Sequence, residues 1–186
     1  MQALTDEELM SRIARGDHGA FSELVERHMR RVVALAQNVL RNAADADEVA
    51  QDVFTRVWTQ PAAFDATRAR FTTWLHRVVV NRCIDRRRST RLEPLDAVLE
   101  RESADPPVAD LVHEEQRGAL VREALDCLPV RQRAALALFY MQDLSQREAA
   151  RAMELSDSAF ESLLHRARRA LASVLRLDRD EAGVER

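Results

Sequence analysis

Residues 70–91 read RFTTWLHRVVVNRCIDRRRSTR and set seven Arg against one Asp, in a chain whose formal net charge is only -3. A guanidinium pairs with phosphate oxygens through two parallel hydrogen bonds, so a helical run of them fits a polyanionic partner. A second set runs the other way: Asp45, Asp47, Glu48 and Asp52, with Gln51 among them, make an acidic patch opposed only by Arg56. Such carboxylates serve either metal-dependent phosphate-ester hydrolysis or docking on a basic partner. They stand on an exposed helix with no inward His beside them, which argues against hydrolysis. A third set lies near the C-terminus, where Arg166, Arg168 and Arg169 fall off the apolar face of a helical pattern.

The elements that must carry these residues are helical. Apolar residues make up 46% of the 186 and charged residues 32%, with four Gly and five Pro, which predicts an all-α protein. Thr5-Asp6-Glu7-Glu8 is a capping box that opens a short helix ending near Gly16. Asp17 caps a longer one to about Arg41, and a third spans about 44–58 until Pro61 breaks it. The fourth begins at Phe71, with Trp74, Leu75, Val78, Val79 and Cys83 at helical spacing. Residues 92–116 then carry eight acids against one Arg, and this stretch holds Pro94, Pro106 and Pro107 without an apolar stripe, which predicts a flexible acidic linker over 92–111.

Periodicity resumes near Val112 and breaks at Pro129. A helix to Met141 follows, then a second capping box at Ser145-Gln146-Arg147-Glu148. A short helix, a turn at 154–156 and a longer basic helix make a helix-turn-helix pattern. The expectation is two small helical domains, 1–91 and 112–176, followed by a tail over 177–186.

No apolar run approaches the ~20 residues of a membrane span, and the acidic N-terminus has no signal-peptide core, so no membrane insertion and a cytoplasmic place are expected. The two Cys and five His show neither CxxC nor HExxH spacing, and no metal or cofactor is expected. All basic residues are Arg and none is Lys, which fits codon bias in a GC-rich genome better than selection for phosphate contacts.

Three stretches, in order, resemble the extracytoplasmic-function sigma factors of bacterial RNA polymerase. DADEVAQDVFTRVW (45–58) is similar to their core-polymerase-binding helix, FTTWLHRVVVNRCIDRRR (71–88) to their promoter-melting helix, and LSQREAARAMELSDSAFESLLHRARRAL (144–171) to their C-terminal helix-turn-helix. The resemblance implies a two-domain initiation factor without catalytic residues, sigma region 2 preceding sigma region 4. Its implied partners are core RNA polymerase, promoter DNA and an anti-sigma factor. Asp45, Asp47, Glu48, Gln51 and Asp52 are then the polymerase-docking strip. Phe64, Arg70, Trp74, Arg77, Asn81, Arg82, Arg86, Arg87 and Arg88 are the minus-10 set, with Arg86 to Arg88 near phosphate and loop 61–70 accepting a flipped base. Ser156, Ser158, Ala159, Glu161, Ser162, His165, Arg166 and Arg169 are the minus-35 set.

The C-terminal stretch departs from the family pattern. Glu154 stands in the turn where Gly is common, and Glu161 and Leu163 stand where a Lys and an Arg often sit. Glu161 can accept a hydrogen bond from a cytosine amino group. The rival reading is a stand-alone helix-turn-helix regulator, which leaves the acidic strip and the first Arg block without a purpose.

Overall fold

The computed structural model describes residues 4–92, 121–142 and 144–183, of which 90–92 and 174–183 are described in their backbone only. The linker expected over 92–111, and the start of the next helix near 112, therefore lie outside the described residues except for Leu92. Every regular element among the described residues is helical. They are α1 (Asp6–Ile13), α2 (His18–Leu40), α3 (Ala43–Thr59), a 3-10 turn (Pro61–Ala63), α4 (Phe71–Leu92), α5 (121–126), α6 (Val130–Met141), α7 (Gln146–Ala152) and α8 (Asp157–Gly183). The fold class expected from composition is the one found.

Local chemistry sets the boundaries. The Thr5 hydroxyl accepts from the Glu8 amide at 3.2 Å while the Glu8 carboxylate accepts from the Thr5 amide at 2.8 Å, which satisfies two of the free donors at the start of α1. The same reciprocal pair, Ser145 with Glu148, opens α7. Asp17 and Asn42 accept from the amides of Ala20 and Asp45 to start α2 and α3. Helix α2 stops at Arg41, which turns left-handed at φ 60°. The N-terminus of α4 is capped from a distance, the Phe71 amide donating to Glu7 Oε1 at 3.0 Å.

In the N-terminal domain α1 to α4 close around Leu24, Val32, Leu35, Val53, Val57, Phe71, Leu75 and Val79, all buried. Fully burying side chains of this size contributes roughly 1.5–3 kcal/mol each. In the C-terminal domain Leu138 and Phe160 are fully buried beside Ala134, Ala149, Ala150 and Ala152, whose small side chains let α6, α7 and α8 approach closely.

The two domains pack on each other, α6 against α2 and α7 against α4. The buried Arg133 is the polar centre of this seam. Its Nε donates to the Val39 carbonyl at 2.7 Å, at the end of α2, and its Nη1 donates to the Leu128 carbonyl at 3.2 Å, before α6. Arg41 adds a 2.8 Å pair to Asp126, and His76 Nε2 meets Gln142 Oε1 at 3.2 Å. Helix α8 runs to Gly183, beyond residue 176 where the sequence patterning placed the start of a tail. The residues there, RLDRDEAG, are mostly good helix formers with no Pro, so nothing local stops the helix when the apolar stripe fades.

Candidate nucleic-acid interface

Helix α4 carries its cations in two environments. Arg86 reaches back to α3, with Nη2 at 2.8 Å from Asp45 Oδ1 and Nη1 at 2.6 Å from Glu48 Oε2. Arg82 lies 3.7 Å from Asp52. Three acids of the expected docking strip thus face two cations of the expected DNA set, and the side-chain hydrogen bond to Asp45 raises the Arg86 pKa above its ordinary value. Asp47 and Gln51 point to solvent on the same helix, and Asp45 is half-buried in the first turn of α3, where its charge suits the helix dipole. Farther along α4, Arg87 and Arg88 are exposed, and no carboxylate among the described residues pairs with them.

The aromatic members are placed differently. Trp74 is 5% exposed and packs with Phe64 at 5.6 Å and Phe71 at 5.7 Å between ring centroids, while Phe64 meets Phe71 edge-on at 5.5 Å. Trp74 is thus mainly a core residue, tied to the loop through Phe64. An edge of it still lines a cavity of about 490 Å³ between loop 61–70, α4 and the C-terminal domain. Arg70 is exposed, and Asn81, also exposed, lines a second cavity of about 220 Å³ with Arg77 and Arg82.

The helix-turn-helix has its expected parts. Helix α7 ends in a Schellman turn, the Leu155 amide donating to the Ala150 carbonyl at 2.9 Å and the Glu154 amide to the Arg151 carbonyl at 3.1 Å. The motif needs a left-handed residue, and Glu154 takes it at φ 55°, which costs a residue with a Cβ about 1 kcal/mol. Ser156 then caps α8, its hydroxyl accepting from the Ala159 amide at 3.2 Å and meeting the Ser158 hydroxyl at 3.2 Å. Glu161, Ser162, His165, Arg166 and Arg169 are exposed along one side of α8, and Ala159 is half-buried. Arg168 turns away from that group; it stacks over Phe139 and Tyr140 at 5.3 and 5.4 Å and donates to the Tyr140 hydroxyl at 2.8 Å.

Sequence reasoning missed three residues that hold this arrangement. Asp6 sits between Arg27 at 3.1 Å and His28 at 2.8 Å and anchors α1 to α2. Arg133 reads as one more surface cation until its carbonyl partners are seen. His76 reads as a polar-face residue but is buried, with Nδ1 lacking a partner; desolvation is the main reason its pKa falls to about 4. Burial also pushes the Cys83 thiol up to about 12, which keeps it protonated and unreactive. Among the described residues no cluster of His, Cys, Asp or Glu has the arrangement of a metal site, and no helix is long and apolar enough to cross a membrane.

Comparison with known proteins assigns the two halves separately. The family model for sigma-70 region 2 matches residues 24–93, and that for sigma-70 region 4 matches residues 119–171. The chain is 36% identical over 171 residues to the ECF RNA polymerase sigma factor SigM of Mycobacterium tuberculosis, covering 92% of this chain and 85% of that protein. Among solved structures, CnrH in complex with the cytosolic domain of CnrY superposes with a TM-score of 0.68 at 28% identity, covering 93% of this chain and 98% of that one. The sigma factor RpoE of Bartonella quintana, in complex with the anti-sigma factor NepR, shares the fold at a TM-score of 0.63 and 22% identity, covering 85% and 98%. The chain belongs to the extracytoplasmic-function group of the sigma-70 family.

Proposed function

We propose a division of labour in which residues 1–91 bind core RNA polymerase and the minus-10 element, 92–111 span between docking sites, and 112–176 bind the minus-35 element. The chain is an RNA polymerase sigma factor of the ECF type, and proteins of this kind are transcription initiation factors rather than enzymes in their own right. The polymerase supplies the chemistry; this subunit supplies promoter choice and stabilises the melted strand, for which cations at phosphates and polar groups at unstacked bases are the physical requirement.

The observation that carries this reading is the presence of both sigma regions in one chain, in order, with the Arg-rich α4 in the first and the exposed face of α8 in the second. A stand-alone helix-turn-helix regulator accounts for α7 and α8 but leaves region 2 without a task. The docking strip is read as Asp47 and Gln51 with Asp45, Glu48 and Asp52, all accessible at least in part on α3. Because the related RpoE was solved with the anti-sigma factor NepR, an inhibitory partner of that class is proposed here too, in the cytoplasm where the polymerase works.

The test is transcription in vitro. Bacterial core polymerase with this protein, given fragmented genomic DNA of the source bacterium, is expected to start transcripts at sites that share two upstream boxes. If core polymerase starts at the same places without the protein, the reading fails.

A further inference from the structure

The turn after α6 faces the middle of α2 across a cavity of about 510 Å³, whose residues belong to neither the DNA sets nor the docking strip. Its α2 wall carries Arg27, Arg30, Arg31 and Ala34, and the other wall carries Met141 and Gln142. Arg27 is already engaged, donating to the Leu4 carbonyl at 2.7 Å and pairing with Asp6 at 3.1 Å and with Glu23. Arg30 and Arg31 are exposed, and no carboxylate among the described residues pairs with them. Glu26 also lines the cavity, a single carboxylate against those two open cations. We propose that this cavity binds a small ligand carrying two linked phosphates, with Arg30 and Arg31 each holding one phosphate and the Gln142 amide donating from the opposite wall.

The spacing on α2 favours two phosphates over one. Successive helical residues project about 100° apart, so the forks of Arg30 and Arg31 diverge instead of converging on one point. Ala34, one turn on, lies between them in projection, and its methyl leaves the space between the forks open. A guanidinium binds a phosphate through two parallel hydrogen bonds, which lets each fork take its own group.

The opposite wall supplies a neutral donor. His76 Nε2 and Gln142 Oε1 lie 3.2 Å apart, and burial keeps the imidazole neutral at pH 7. With its proton on Nε2 the ring donates to that oxygen, and the Gln142 NH2 group is left to donate into the cavity. Met141 beside it is 55% exposed and offers an apolar surface for a nucleoside base. The volume is that of a small-molecule site.

The experiment titrates the full chain by calorimetry at fixed ionic strength with inorganic pyrophosphate, ADP, inorganic phosphate and a dT 12-mer. Pyrophosphate is expected to bind about tenfold more tightly than phosphate, because it engages both forks. Arg30→Gln with Arg31→Gln should weaken it by about tenfold or more. Gln142→Glu keeps an oxygen for His76 but sets a carboxylate where the donor stood, and should abolish binding. Arg12→Gln with Arg15→Gln removes the same charge at exposed positions outside the cavity and should change affinity by less than about twofold. Tighter binding of ADP than of pyrophosphate supports the site and makes the ligand a nucleotide resting on Met141; equal binding supports the site through its phosphates alone. Absence of pyrophosphate binding, equal affinity for phosphate and pyrophosphate, or equal losses in the two double Arg variants overturns the proposal. A dT 12-mer that needs Arg30 and Arg31 while pyrophosphate does not bind overturns it as well, in favour of a nucleic-acid surface.

Discussion

Helices α4 and α8 are both Arg-rich, yet most of the α4 cations that face other elements are paired and those on the outer face of α8 are not. On α4, Arg77, Arg82 and Arg86 each meet a carboxylate of another element, namely Glu154, Asp52, and Asp45 with Glu48. On α8, Arg166 and Arg169 are exposed, and among the described residues no carboxylate pairs with them. The difference teaches that an Arg run in sequence measures charge, not availability. Helix α4 commits Arg77, Arg82 and Arg86 to ion pairs and leaves Arg87 and Arg88 open, while α8 presents Arg166 and Arg169.

Arg133 marks the far limit of that scale, a cation used wholly inside the protein. Replacing it with Ala removes donors from the Val39 and Leu128 carbonyls at the seam. The expected cost is about 3 kcal/mol, against less than about 0.5 for Arg169→Ala on the open face of α8. Urea denaturation of both variants checks this. Equal losses would mean that exposure does not separate the two kinds of Arg.

The seam also sets a pH dependence. The His76 pKa is depressed to about 4 in the folded protein, chiefly by burial, while an unfolded His titrates near 6.5. The folded state resists the proton that the unfolded state accepts, so stability is full above pH ~6.5 and falls as pH drops toward about 4. Between pH 7.5 and pH 5 the loss from this group is about 2 kcal/mol. His76→Gln, which cannot titrate, should flatten that part of the denaturation profile. A profile of unchanged slope would place the acid sensitivity elsewhere.

Within α4 the comparison sharpens to neighbouring residues. Arg87 and Arg88 are exposed without a carboxylate partner among the described residues, whereas Arg82 and Arg86 are committed to α3. Changing Arg87 and Arg88 to Ala should weaken open-complex formation about tenfold at moderate salt and reduce the salt slope by about 1.5, as two lost phosphate contacts to single strands require. Melting temperature should hold. Changing Arg82 and Arg86 instead should lower the melting temperature, because α3 and α4 lose their ion pairs. Identical behaviour of the two double variants would erase the distinction between stored and presented charge.

Much of this is legible in the amino-acid sequence. The 3.6-residue periodicity of α2, α3, α4 and α6, the capping boxes at Thr5 and Ser145, and the stop at Pro61 all depend on residues close in sequence. The domain seam was not legible. It joins α4 to α7 and α2 to α6 across many intervening residues, using partners such as His76 with Gln142 that look like ordinary surface polar groups. Burial of Trp74 was half-visible: its spacing fits the core face of α4, but an aromatic beside an Arg run also fits base stacking. Glu154 was visible as a departure from the family's usual Gly, but its partner on α4 was not.

The smallest expected effect separates two serines of α8 that the sequence groups together. The Ser156 hydroxyl accepts from the Ala159 amide and so closes one of the open donors at the start of the helix, whereas Ser162 is exposed one and a half turns later, where its hydroxyl faces away from the core. Ser156→Ala should therefore cost about 1 kcal/mol of stability and leave the preferred minus-35 sequence unchanged, because its oxygen is already engaged with the backbone. Ser162→Ala should leave stability within about 0.5 kcal/mol and shift which minus-35 boxes are chosen from a randomised library, since a base contact specifies where a backbone contact only positions. A shift in preference from Ser156→Ala, with none from Ser162→Ala, would move the reading face to the helix N-terminus and take Ser162 out of the interface.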